Sequence, residues 1–428
     1  MCEQLTDLKR LLIHKKLSNF DCDKLVRLGE FISKEYVPKY FPGFSVSIYE
    51  DNKESYYFQS KYLDKDQRRT FSKDSIFRIF SMTKPIVSAA AMQLHEKGKF
   101  NLDDPVSKFI PEWNDIKVYK SGSNGTFQVE KPKRNMQMTD LFTHTAGLTY
   151  GLQKQTPVDK EYVQIGIENV VDSRGPNGAL SSDEIINLLS DIPLEFSPGD
   201  HYNYSLSIDI LGFIIERISG SSLEDYLNNN IFNPLGMDDT SFYLNKEKRN
   251  RFAPIYRWNI EKDAYEKLVK NKNSKIKDID FLNKPACFSG GGGLLSTIGD
   301  YQKFGSELLN SKLGKSNLLV SEDTADLMMS NHLPNNLDMT QLSKFPLAGE
   351  EYYKGIGYGL GGSIVIDPAI NPNNSFEGDF GWGGAASTLF FISPINGFSV
   401  VFMTQVLESE ETRRLSKDIR TIIRGSLI

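Results

Sequence analysis

Apolar positions along this chain change period several times, and each change marks an element. Over residues 1–40, Leu5, Leu8, Leu11 and Leu12, then Leu25, Leu28, Phe31 and Ile32, recur at helical spacing until Pro42-Gly43 ends the pattern. Phe44-Ser45-Val46-Ser47-Ile48-Tyr49 alternates with period two. Asp51-Asn52-Lys53 then turns the chain toward Tyr56-Tyr57-Phe58, which predicts a hairpin. Residues 75–80 read as an extended approach to a helix. Pro85 belongs in the first turn of that helix, so it starts near Ser81 or Met82, and Gly98 supplies the stop. Its body, Ile86 to Met92, is apolar nearly all round, the signature of a helix buried in a core. Ile208, Leu211, Ile214, Ile215 and Ile218 form an apolar stripe that Gly220 closes, and Ser221 with Glu224 has capping-box spacing for the next helix. Beyond Ser289, residues 357–366, 388–392 and 398–404 read as strands and 409–425 as a closing helix. Strands at both ends with helices between predict one sheet domain formed by 1–80 and 285–428, with a mostly helical domain, 81–284, inserted.

Composition narrows the class. The 428 residues, 39% hydrophobic and 25% charged, suffice for a large core and more than one lobe. A net charge of −5 and the lack of a basic stripe with interleaved aromatics argue against nucleic acid. The lysines of 261–277 are mixed with acids and read as a solvated loop. Cys2, Cys22 and Cys287 are too few and scattered for a disulfide framework or a cysteine metal site. His14, His95, His201 and His332 lack paired spacing, and His144, between Thr143 and Thr145, reads as a loop brace in preference to a general base. Neither a metal nor a cofactor is therefore expected. The first residues lack a secretory pattern, and no apolar run is long enough to span a bilayer, so a soluble cytoplasmic protein is expected.

The candidate chemistry begins at Ser81-Met82-Thr83-Lys84. Residues three apart share a helix face, so a serine at the helix start has an amine one turn away. Serine is a weak nucleophile until a base adjoins it, and a lysine serves as base only where burial and nearby charge favour its neutral form. A capping serine with a surface lysine has the same spacing, as in Ser274 to Lys277; Ser81 differs by leading into an apolar helix, which shields both side chains. Ser197-Pro198-Gly199-Asp200 is a turn that delivers Tyr202 and Tyr204 just ahead of the stripe of Ile208 to Ile218. Tyr204 is either a packed aromatic or a proton shuttle. Phe380-Gly381-Trp382-Gly383-Gly384-Ala385-Ala386 precedes an apolar run, and its glycines form either a sheet-edge bulge or a place where a substrate carbonyl meets a backbone N–H. No G-x-S-x-G elbow is present, and the Gly290–Gly293 run lacks the lysine of a phosphate loop.

Taken together, the S-x-x-K, Tyr-Ser and Trp-Gly-Gly elements resemble the serine hydrolases of the class C β-lactamase and penicillin-binding-protein superfamily, closest to the family VIII carboxylesterases. Phe77 to Pro85, Leu141 to Leu148, Tyr204-Ser205 with Asp209 to Gly212, Ile231 to Met237, Gly290 to Thr297 and Trp382-Gly383-Gly384 carry the resemblance. It implies an α+β fold, an antiparallel β-sheet flanked by helices with a helical lobe. It implies Ser81 as nucleophile, Lys84 as base, Tyr204 as proton shuttle, and the N–H groups of Ser81 and Ala385 as oxyanion hole, with Trp382, Gly383, Gly384 and Leu206 on the pocket. Where penicillin-recognising relatives carry Tyr-x-Asn and Lys-Thr-Gly, this chain has Leu206 and Trp382. The amide and the cation that would hold a carboxylate-bearing β-lactam are thus absent from those positions. The implied activity is a carboxylesterase on small neutral esters, acting through an acyl-enzyme. An acyltransferase, a weak β-lactamase or D-amino-acid peptidase, and a silent binding protein on the same scaffold are the alternatives. Variable loops at 115–135, 149–180 and 330–355 are expected to wall the pocket.

Overall fold

The computed structural model describes residues 19–64, 66, 69–123, 125–153, 155–171, 174–175, 178–268 and 281–428. The helical pattern of Leu5 to Leu12 and the Ser274–Lys277 match lie outside them. A seven-stranded antiparallel sheet joins the two ends of the chain. In sequence order its strands are β1 (Ser45–Glu50), β2 (Lys53–Gln59), β3 (Ile356–Tyr358), β4 (Ser363–Val365), β5 (Phe380–Gly383), β6 (Leu389–Ser393) and β7 (Phe398–Met403). In space the order is β3-β4-β5-β6-β7-β1-β2. The predicted hairpin is β1–β2, with Asp51 and Asn52 both at positive φ in its turn. The single strand expected over 357–366 is instead the hairpin β3–β4, because Gly361 turns the chain at φ +93° where a Cβ would strike Ser88. The Trp-Gly-Gly element, expected at the start of a strand, itself forms β5 and turns back into β6.

Alternation along β1 sorts the two sheet faces. Val46 and Ile48 stand opposite Phe402 and Val400 and face a core with Leu28 and Ile32 of α1 (Arg27–Glu35). The C-terminal helix α5 (Glu411–Ser426) adds Leu415, Ile419 and Ile423 to that core. These three fall at i, i+4 and i+8, and each buried aliphatic of this size contributes about 1.5–3 kcal/mol. On the other face Ser47 and Ser399 are small enough to admit α4 (Ile298–Lys312). There the buried Gln302 amide donates to the Ser47 carbonyl at 2.7 Å and accepts from Ser399 Oγ at 2.8 Å.

Beyond α4 lies the larger core. Its central helix is α2 (Thr83–Glu96), buried on every side from Thr83 to Leu94, and it packs on α3 (Ser207–Ser219). Gly220 ends α3 at φ +69°, as its position predicts. The following helix is capped by Ser222, which accepts from the Asp225 N–H, and not by Ser221. The Ser221 N–H is turned back onto Ser219 Oγ, which moves the helix start one residue on. No helix of the described residues is long and apolar enough to cross a membrane.

Candidate active site

Phe80 has φ +42°, a strained backbone for a bulky residue, and it swings Ser81 out of the extended segment into a 3₁₀ turn, Phe80–Met82, that runs into α2. The turn is pinned where the Tyr301 hydroxyl donates to the Met82 carbonyl at 2.8 Å and the Leu294 N–H donates to Thr83 Oγ1 at 3.1 Å. Ser81 therefore faces a cleft of about 520 Å³, while Lys84, one turn on, is fully buried beneath it.

Lys84 Nζ has three oxygen partners, the Gly291 carbonyl at 2.6 Å and Ser81 Oγ and the Tyr150 hydroxyl each at 3.3 Å. The Tyr150 hydroxyl is hydrogen-bonded to the Asp209 carboxylate and keeps its proton. Asp209 also accepts from Ser289 Oγ at 2.5 Å and from the Gly291 N–H at 2.9 Å. Gly291 thus receives Lys84 on one side of its residue and Asp209 on the other, at a closeness that only glycine permits, since a Cβ would collide with the carboxylate. Burial raises the affinity of Asp209 for a proton, and the Lys84 charge opposes that shift. Burial, reinforced by Asp209, holds Tyr150 well above the usual phenol range. Lys84 Nζ is thus placed to donate to the Gly291 carbonyl and the Tyr150 hydroxyl and to meet the Ser81 hydroxyl.

Tyr204 stands on the other side of the lysine. Its ring lies 4.6 Å from Lys84 Nζ, and its hydroxyl accepts from Trp382 Nε1 at 3.3 Å. The phenol oxygen in contact with Lys84 is thus that of Tyr150, a residue absent from the expected set. It lies just past the Leu141–Leu148 motif, and nothing in local sequence marks it as belonging with Lys84. Asp209 did carry a signal, an acid set among Ile208, Ile210 and Leu211. His144 is fully buried. Burial first, then the Lys84 charge, keeps its imidazole well below its ordinary pKa and hence neutral.

The turn after β5 places Ala385 on the lining of the cleft that Ser81 also faces. The Gly384 N–H is taken by the Thr388 carbonyl at 2.8 Å, and a Cβ on Gly384 would collide with the Ile79 carbonyl, so glycine lets this turn press against the segment that leads to Ser81. Trp382, Gly383 and Gly384 line the cleft. Leu206 does not. It is fully buried at the start of α3 and packs in the larger core, where an apolar side chain is favoured. Gln153 and Gln155 form one wall, and Phe345, Leu347, Tyr352 and Tyr353 another, within two of the three expected loops. Among the described residues, none of 115–135 is on the lining. The start of α5 contributes instead, with Arg413, which donates to Tyr353 and supplies a cation to the cleft that the Trp382 motif lacks.

Behind the Gln155 wall, Thr156 caps the helix Pro157–Gln164 and donates to the buried Glu195 carboxylate. Burial pushes Glu195 from the ordinary 4.5 up to about 7. Between those values the folded chain holds a proton that the unfolded chain has released, so stability falls as pH rises through that window, by on the order of 3 kcal/mol. Glu195→Gln is expected to raise Tm at pH 8 and to give no gain at pH 5. A thermal melt at each pH measures this, and equal shifts at both would refute it.

A profile of the Beta-lactamase family matches residues 35–422. The chain belongs to the Beta-lactamase family. Protein Rv1367c of Mycobacterium tuberculosis is 30% identical over 349 residues, 80% of each chain. Esterase EstB of Burkholderia gladioli is 27% identical over 356 residues, again 80% of each. Among solved structures, "EstCE1, a hydrolase with promiscuous acyltransferase activity" superposes with a TM-score of 0.77 at 25% identity, covering 94% of this chain and 99% of the other. The antiparallel sheet flanked by helices is the β-lactamase and penicillin-binding-protein fold, and this member is a hydrolase of that fold with esterase and acyltransferase relatives. Among the described residues no cluster of histidine, cysteine and carboxylate side chains could hold a metal ion.

Proposed function

We propose that the protein is a serine hydrolase that works through an acyl-enzyme, with carboxylic esters as substrates. The observation that carries this reading is the buried Lys84 amine, 3.3 Å from the hydroxyl of a serine that opens on a cleft. Ser81 Oγ attacks the ester carbonyl as Lys84 takes its proton, with Gly291 and Tyr150 holding the other two hydrogens of the amine. The N–H groups of Ser81 and Ala385 receive the oxyanion. Tyr204 relays the proton to the departing alkoxide, and water then releases the acid and restores Ser81. The Phe345, Leu347 and Tyr352 wall favours apolar groups on the ester, and Trp382 in place of a cation favours neutral ones. Arg413 gives carboxylate-bearing esters a foothold on the same cleft.

Acyl transfer is the second reading, favoured by the activity named for EstCE1. It shares the acyl-enzyme and differs only in passing the acyl group to an alcohol or amine. Intact-protein mass spectrometry after brief exposure to a series of p-nitrophenyl esters tests both. The expected result is an added acyl mass on the Ser81 peptide with p-nitrophenol released. Excess alcohol that diverts product to a new ester would assign transfer. An adduct with nitrocefin alone, or no adduct with any probe, would overturn the esterase reading.

A further inference from the structure

We propose that His144 is a positioning residue that sets where the Tyr204 phenol sits; the inference rests on the reading of Tyr204 as proton carrier. His144 grips residues 203–205 on both sides of Tyr204. Its carbonyl accepts the Asn203 N–H at 2.9 Å, and its Nδ1 accepts the Ser205 N–H at 3.2 Å. Between those two bonds the imidazole packs against the Tyr204 ring with centroids 4.7 Å apart. Ser205 Oγ, 3.3 Å from Nδ1, continues to Ser207 Oγ at 2.8 Å, so the grip is tied to the first residue of α3.

The residue type follows from this grip and not from packing. An accepting Nδ1 places the ring proton on Nε2. Nε2 is buried and has no hydrogen-bond partner among the described residues, and neither has the hydroxyl of Tyr202 or Tyr358, the two rings that flank it. A buried N–H without an acceptor is unfavourable. A phenylalanine would fill the same space without that cost, and what the imidazole adds is the acceptor at Nδ1. His144 does not line the cleft, so its effect on the reaction passes through Tyr204, whose ring meets Lys84 and whose hydroxyl accepts from Trp382.

The backbone indicates which substitution preserves the grip. His144 has φ +58°, a left-handed conformation that asparagine tolerates better than most residues. In His144→Asn, Oδ1 takes the place of Nδ1. In His144→Gln the amide sits one bond farther out, and the Ser205 N–H is left unpaired. The experiment measures kcat and KM on a p-nitrophenyl ester for His144→Asn, His144→Gln, Tyr204→Phe and the two double variants. His144→Gln is expected to lose about 10²-fold in kcat, the scale of a small misplacement of a reacting group, at an unchanged KM. His144→Asn is expected to recover most of that loss, and neither change is expected to lower kcat further once Tyr204 is Phe. Full activity in His144→Gln, or additive losses in the doubles, would overturn the role of His144. Full activity in Tyr204→Phe would overturn the reading of Tyr204 itself, a separate outcome. Should His144→Gln not fold, ¹⁵N NMR of histidine-labelled natural protein still decides: an unprotonated Nδ1 at His144 supports the grip, and a proton there overturns it.

Discussion

Ser81→Ala is expected to fold as the natural chain does and to turn over no ester. Removal of a hydrolase nucleophile costs about 10⁶ in kcat, and what survives is the contribution of the oxyanion donors and of binding. The fold should be indifferent, because the Ser81 hydroxyl makes one long hydrogen bond, 3.3 Å to Lys84, while the turn around it is pinned by Tyr301 and Thr83. Paired measurements of p-nitrophenol release and of Tm check both halves. Activity that survives in the alanine variant at an unchanged Tm would remove Ser81 from the mechanism.

The second large effect belongs to Lys84. Lys84→Met keeps the length and apolar stem of the side chain in a fully buried position and deletes its only polar atom. A loss of about 10²–10⁴ in kcat is the scale for a general base. Raising the pH is not expected to restore the rate, since a solvent hydroxide does not occupy the buried point between Ser81 Oγ, Gly291 and Tyr150. A kcat that climbs back toward the natural value by pH 10 would reduce Lys84 to an anchor. The deletion also removes the Lys84 charge that opposes the burial shift of Asp209, so the carboxylate becomes harder to ionise.

Sequence reasoning reached the elements whose period is strong. The β1–β2 hairpin, α2, α3 with its Gly220 stop, and the amphipathic α5 all follow from spacing and from glycine or proline at the ends. It missed where the chain reverses inside an apolar run, as at Gly361, because two antiparallel strands and one long strand share the same period of two. The Ser81–Lys84 spacing was legible for the reason that a helix turn is a local object. Tyr150, Gly291 and Arg413 were not, since their places beside Lys84 or in the cleft are set by loops and by a helix far away in the chain. Leu206 erred in the opposite direction: its position in the Tyr-Ser-Leu element suggested the pocket, yet it begins α3 and points into the core.

One feature of the sheet bears on how the molecule is made. β7 is held between β6 and β1, with Met403 opposite Ser45, so it completes a sheet whose first hairpin is translated more than three hundred residues before it. The hairpin of β1 and β2 must keep its open edge unpaired while more than three hundred residues are translated, and an unpaired edge is a template for aggregation. Pairings so distant in sequence also close slowly. Until β7 has left the ribosome, β6 and β1 lack the strand that joins them, so nascent chains hold the nucleophile but not the finished sheet. A ribosome stalled before residue 398 therefore carries a chain that a chaperone has reason to hold and a substrate has no reason to visit.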